Sequence, residues 1–175
     1  MIIKKSKKLG LLIIFPITNF TDYRGRYIES FNKTNYTKIL NKKFVEDDFA
    51  ITKKNVFRGI HGDSRTWKLV SCVYGKCEAI ILNWDKKSKN YGLWEKFILS
   101  SENYYQILIP PCYGNSFLTL SKIAVYHYKQ TQYYQGQHNQ FTLNYKDPLF
   151  KIKLRVKNPI VSKRDLNAKF VEKNI

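Results

Sequence analysis

Cysteine, histidine, glycine and proline are all scarce in this 175-residue chain, and each scarcity closes off a class of explanation. The three cysteines, Cys72, Cys77 and Cys112, form an odd set, and a chain of this length buries roughly two-thirds of its unfolded surface without staples. Reduced thiols and a cytoplasmic location are therefore expected. Cys72 and Cys77 flank a turn, but no second pair completes a zinc site. The three histidines, His61, His127 and His138, lack the spacing of a metal-binding jelly roll, which needs two histidines close together, a nearby carboxylate and usually a later histidine. No metal is expected. With 8 glycines, 5 prolines and no low-complexity tract, the chain shows neither linker nor repeat and reads as one domain, residues 1–175.

Long apolar runs are also missing. None approaches the ~20 residues of a membrane span. The opening "MIIKKSKKLGLLIIFPITNF" resembles a signal peptide, but its apolar run stops at Pro16 without a small-residue cleavage site, so a first strand is expected. Acidic residues are few: 13 against 31 basic ones, a formal charge of +18. Such a charge brings polyanions into consideration. The lysines, however, are scattered in pairs such as Lys42–Lys43 and Lys86–Lys87, and no nucleic-acid-binding motif accompanies them. No nucleic-acid or membrane partner is expected.

What the chain does contain is short strands. "RYIESFN" alternates; "KLVSCVYGKCEAIILNW" is two β-rich runs hinged at Tyr74-Gly75-Lys76; "YYQILIPP", "NSFLTLS" and "IAVYHYKQT" follow the same style. Turn signals fall at Asp22–Gly25, Asp85–Asn90, Pro110–Gly114 and Tyr134–Gly136. Only "NKTNYTKILNKKF" and "SKRDLNAKF" look helical. The expectation is an all-β sandwich or barrel of the jelly-roll kind with a few short helices, whose interior can hold a ligand. Within "YHYKQT", Tyr126 and Tyr128 share one face and His127 takes the other, so only one of the His127–Tyr128 pair can line a pocket.

"NVFRGIHGD" places His61 between two cations, Arg58 and Lys68, that suit a phosphorylated or enolate-forming substrate. Together with "FTDYRGRYIESF", "FVEDDFAITKKNVFRGIHGD", "WKLVSCVYGK", "ILIPPCYGNSFLTLS", "YHYKQTQYY" and "NPIVSKRD", in that order and spacing, the chain resembles the dTDP-4-dehydrorhamnose 3,5-epimerases, the RmlC-type cupins, from about Phe20 to Asp165. The resemblance implies a cupin jelly-roll β-barrel and, within it, a metal-free and cofactor-free epimerisation beside the C4 ketone of a nucleotide-linked sugar. A base removes the proton at C3 or C5, an enolate forms, and a proton returns from the other face. It implies His61 as the base and Asp165 as the carboxylate that fixes its tautomer. Lys68 would stand by the enolate oxygen and Tyr128 would reprotonate the opposite face. Nucleotide contacts are implied for Arg58 on the diphosphate and Tyr134 near the sugar or base, and for Arg24, Tyr27 and Glu29 reaching into a neighbouring subunit of a homodimer. One tension is that Arg58 and His61 are three residues apart, which opposes them in a regular strand unless Gly59 permits a bulge.

The chain departs from the pattern it resembles. Glu46-Asp47-Asp48 replaces Gln-Asp-Asn, and a carboxylate can pair with the two donors of guanine, which favours GDP over dTDP. Asn115-Ser116-Phe117 replaces His-Gly-Phe, exchanging an imidazole for an amide that can bind the sugar. "FKIKLRV" stands where aromatics are common and is expected at the pocket wall or edge. The loop after His61 is short, as in the branch acting on GDP-4-keto-6-deoxy-heptoses in capsular polysaccharide synthesis. The reading is thus an epimerase inverting C3, or C3 and C5, of a GDP-linked 4-keto-6-deoxy-heptose. The alternatives are a dTDP-4-keto-6-deoxy-hexose 3,5-epimerase, a 3,4-ketoisomerase and, last, a basic nucleic-acid-binding protein.

Overall fold

The computed structural model describes residues 1–171. In chain order the strands are β1 (Ile2–Lys5), β2 (Leu12–Phe15), β3 (Ile17–Asp22), β4 (Gly25–Glu29), β5 (Glu46–Lys53), β6 (Phe57–Gly62), β7 (Lys68–Tyr74), β8 (Lys76–Asn83), β9 (Trp94–Ser100), β10 (Gln106–Ile109), β11 (Tyr113–Thr119), β12 (Ile123–Gln130) and β13 (Phe141–Thr142). The helices are α1 (Lys33–Thr37), α2 (Lys163–Leu166) and one 3-10 turn at Gln137–Asn139. Both α-helices are shorter than the sequence suggests. In α1 the β-branched Thr37 closes the helix by returning its Oγ1 to the Lys33 carbonyl at 2.7 Å.

Two antiparallel sheets face each other, a six-stranded one in the order β1-β2-β10-β7-β12-β5 and a five-stranded one in the order β13-β6-β11-β8-β9. The third sheet is the β3–β4 hairpin. The expected barrel is therefore an open jelly-roll sandwich. Its edges at β5 and β9 do not pair with each other, so the interior stays accessible from one end.

Hydrophobic packing explains which residues form which layer. Between the sheets lie Val70, Cys72, Ile107 and Tyr126 from one side and Ala79, Ile81, Leu99 and Phe117 from the other. β8 reads as an unbroken apolar run, "AIIL", because both of its faces are covered. Ile80 and Leu82 pack outward with Phe57 and Leu118 under Leu143, Tyr145 and Phe150. Ile152, Leu154 and Val156 of "FKIKLRV" belong to this outer layer, and Arg155 and Lys96 close on the buried Glu78 at 2.6 and 3.0 Å. That segment covers the back of the five-stranded sheet rather than forming a wall of the pocket. On the other sheet, α1 lays Tyr36 over Ile14, Leu69 and Leu108. Its phenol donates to Gln106 Oε1 at 2.6 Å.

Among the described residues, nothing covers the outer face of the six-stranded sheet around Phe49 and Ile51. Phe49 and Ile51 on β5 are 63% and 70% exposed, and Val73 and Ile123 beside them are also exposed. His127 points to this face, away from the interior, as strand parity requires. It is nevertheless buried, held by Asp47 and Ser71 and packed against the Phe49 ring at a centroid distance of 5.0 Å.

Candidate active site

The open end of the sandwich holds a cavity of about 780 Å³. Strand register builds its walls. On the six-stranded sheet, Lys68, Gln130 and Glu46 are cross-strand neighbours over β7, β12 and β5, and Val70, Tyr128 and Asp48 form the next row. On the facing sheet, Thr142, His61 and Asn115 line up over β13, β6 and β11.

Arg58 and His61 both line the cavity although they are three apart, and the reason is local. Between them β6 carries one residue more than β11, which pairs Asn115 with His61 and Phe117 with Arg58. Gly59, at φ +118°, occupies the irregularity, and a Cβ there would lie 2.7 Å from the Asn115 carbonyl oxygen. The bulge rotates one residue's worth of parity out of the strand and brings the cation and the imidazole to one face.

Asp165 arrives from a different element. Ser162 caps α2, accepting from the Asp165 N–H at 3.2 Å, so the aspartate occupies the N3 position of an S-x-x-D start. Instead of folding back on the cap, its carboxylate crosses to β6. Oδ1 lies 2.5 Å from His61 Nε2 and Oδ2 accepts from the Gly59 N–H at 3.3 Å. The pair leaves Nδ1 as the imidazole's other nitrogen. Burial works to raise the Asp165 pKa, but hydrogen bonds from His61, Gly59 and Ser162 outweigh it and hold the carboxyl below its ordinary value. A depressed folded-state pKa contributes stability above the unfolded-state value, and that contribution is lost as the pH falls through the folded one. Asp165→Ala is accordingly expected to cost about 1–3 kcal/mol at neutral pH, from the donors left unpaired. The deficit should shrink below the ordinary carboxylate range, as read by denaturant unfolding at a series of pH values.

Lys68 is 7% exposed, and its ammonium has no hydrogen-bond or ion-pair partner among the described residues. Burial lowers its pKa from the ordinary lysine value, against the pull of Asp63, Asp48 and Glu46 and with the help of Arg164. Tyr128 faces it from β12, and burial followed by the charge of Asp48 raises its phenol. Its proton is therefore retained at neutral pH.

Glu46 and Asp48 are cavity residues, not surface charges. The Gln130 amide nitrogen bridges them at 2.9 Å to each, and the other Glu46 oxygen accepts from the Tyr134 N–H at 2.8 Å. Burial and the neighbouring Glu46 raise the Asp48 pKa. Tyr134 lines the rim, with its ring half-exposed. Arg24, Tyr27 and Glu29 are not among the residues lining this cavity. Arg24 pairs with Asp22 of its own hairpin at 2.7 Å, and Glu29 accepts from Asn32 and Asn35 beside α1. Several lining residues escaped the sequence reading, among them Gln130 and two that bear on the chemistry. Arg164, adjacent to Asp165 in "SKRD", is held by Thr142 and Gln140 at the mouth. Tyr126 is the second, and its shared face with Tyr128 was the available signal.

A half-buried imidazole held by a buried carboxylate, a desolvated ammonium and a protonated phenol converge on one cavity with two guanidinium groups at hand. Among the described residues, no three His, Cys, Asp or Glu side chains are placed to hold a metal ion. The sequence profile of the family described as dTDP-4-dehydrorhamnose 3,5-epimerase matches residues 7–173. The chain belongs to this family. It is similar to the dTDP-4-dehydrorhamnose 3,5-epimerase of Shigella flexneri, 33% identical over 92% of each chain, and to that of Salmonella typhimurium, 37% identical over 77% of this chain and 75% of the relative. Among solved structures it resembles the dTDP-6-deoxy-D-glucose-3,5-epimerase of Legionella pneumophila in complex with dTDP-4-keto-L-rhamnose. The TM-score is 0.88 and the identity 33%, covering 96% of this chain and 91% of that one. The family member described here is thus an isomerase-class enzyme with the jelly-roll fold. Among the described residues no helix is long and apolar enough to cross a membrane.

Proposed function

We propose that the protein is a nucleotide-sugar 3,5-epimerase in which His61, positioned by Asp165, withdraws a proton beside the C4 ketone. Lys68 stabilises the enolate oxygen, and Tyr128 returns a proton from the opposite wall. Arg58 and Arg164 meet the diphosphate. The observation that carries this reading is the placement of the His61–Asp165 pair on one sheet and of Lys68 and Tyr128 on the other, across a single cavity. The names of the relatives favour a dTDP-linked 4-keto-6-deoxy-hexose as substrate.

A GDP-linked 4-keto-6-deoxy-heptose is the second reading, motivated by Glu46, Asp48 and Asn115 in the cavity. The base-pairing argument for it is weakened by position. Both Glu46 oxygens already accept hydrogen bonds, and the Glu46–Asp48 pair stands in register with Gln130 and Tyr128, at the reacting end. These carboxylates are better placed to receive sugar hydroxyl groups than a guanine edge. The deciding experiment is proton NMR in D₂O with each nucleotide sugar supplied separately. Loss of the C3 and C5 signals in the dTDP compound supports the first reading, and exchange confined to the GDP-heptose supports the second. A product that differs in carbonyl position would mean a ketoisomerase.

The ammonium at Lys68 predicts a pH dependence. Activity that needs this charge is expected to fall on the alkaline side at a pH below the ordinary lysine value. In Lys68→Arg the guanidinium stays charged, and the alkaline limb should move upward even though the arginine fits the site less well. A pH–rate profile of both proteins tests this.

The active form proposed is a homodimer. The uncovered apolar face around Phe49, Ile51, Val73 and Ile123 supports it, as does a hairpin whose Arg24 and Tyr27 do not line their own chain's cavity. The double variant Phe49→Asp, Ile51→Lys is expected to run as a monomer by light scattering and to lose activity. A dimer unaffected by both charges would place the interface elsewhere.

A further inference from the structure

Tyr126 lies two residues before Tyr128 on the same face of β12, and it is fully buried. Its ring stacks on Phe117 at 4.2 Å with an interplanar angle of 10°. Around it are the thiols of Cys72 and Cys77 and the apolar layer between the sheets. A phenol in such surroundings needs a hydrogen-bond partner, and it has one: its hydroxyl donates to Asn115 Oδ1 at 2.8 Å. Burial drives the Tyr126 pKa well above its ordinary value, so the hydroxyl keeps its proton and acts as a donor here.

That single bond fixes the role of Asn115. A carboxamide whose oxygen accepts from an immobile donor has its nitrogen, with two N–H groups, on the other side. Asn115 Nδ2 has no partner among the described residues, and the residue lines the cavity next to His61 in the cross-strand pair. An asparagine without the phenol can turn over and offer either end. With it, only the donor end faces the substrate.

Resting on the epimerase reading, we propose that Tyr126 is a positioning residue. It locks the Asn115 carboxamide so that Nδ2 donates to a sugar oxygen flanking the carbon that His61 deprotonates. The pair thereby selects substrates that carry an acceptor at that place and aligns the C–H bond with the imidazole. It adds to the site a lining residue whose side chain is fully buried.

The test is a double-mutant cycle of Tyr126→Phe and Asn115→Ala, with deuterium incorporation and kcat/KM measured on whichever nucleotide sugar the unaltered protein turns over. Each single variant is expected to lose about tenfold in kcat/KM, as for one positioned hydrogen bond. The double variant should lose no more than Asn115→Ala alone, and the acid limb of the pH profile should stay in place, because the His61–Asp165 pair is untouched. Wild-type kinetics in Tyr126→Phe, or losses that multiply in the double variant, overturn the proposal. If Tyr126→Phe does not fold, Asn115→Leu decides: the same shape without a donor must show the loss, and unchanged kcat/KM refutes the assignment. Absence of exchange in the unaltered protein with both nucleotide sugars would instead bring down the epimerase reading itself.

Discussion

Asparagine at position 61 is expected to stop solvent deuterium from entering the substrate, with a loss of roughly 10² to 10⁴ in rate, the range for a positioned general base. The magnitude follows from the geometry. His61 Nε2 is committed to Asp165 at 2.5 Å, which orients the ring and leaves Nδ1 to take the proton. The side chain is 25% exposed, enough to meet a substrate in the cavity while its partner carboxylate is almost wholly enclosed. An asparagine side chain still has an N–H to offer Asp165, so the buried carboxylate keeps a partner and the fold is expected to survive. It has no basic nitrogen, however, and the proton has nowhere to go. Exchange that persists in His61→Asn would move the role of base to another cavity group, with Asp48 and Glu46 the first to examine.

Much of this site was legible because β-structure has a period of two. The alternation in "YHYKQT" separates Tyr128 from His127 without any coordinates, and the structure places them on opposite faces. Gly59 likewise signals the irregularity that lets Arg58 and His61 share a wall. The same parity also shows why Glu46 and Asp48 belong inside while Asp47 does not.

Long-range packing was not legible. Nothing local in "FKIKLRV" says that Arg155 closes on Glu78, nearly eighty residues earlier, rather than on the pocket. His127 is buried because Phe49, Ser71 and Asp47 gather around it from two other strands, a contact that alternation alone does not predict. Whether the jelly roll closes into a barrel or stays an open sandwich was not legible for a similar reason. Whether edge strands meet is decided by the twist of both sheets, and a list of strands does not contain it. Tyr126 shares the face of Tyr128 in the sequence, but an aromatic at such a position is ordinarily just core. Only the 2.8 Å bond to Asn115 distinguishes it.

Tyr128→Phe is expected to separate two steps that His61→Asn abolishes together. The phenol reaches the cavity from the six-stranded sheet, opposite His61 on the five-stranded one, so the two groups address different faces of a sugar lying between them. Burial and the nearby Asp48 charge keep its proton in place at neutral pH, as an acid requires. Removing only the hydroxyl leaves His61, Asp165 and Lys68 intact. The enolate then still forms, and the proton returns from the face it left. Deuterium should therefore continue to enter the substrate with retention of configuration, while inversion falls by roughly 10² to 10⁴. Parallel measurement of exchange by NMR and of epimer formation by chromatography tests the split. Equal loss of both would show that the phenol takes part in forming the enolate, and undiminished inversion would assign the second proton to another group on that wall.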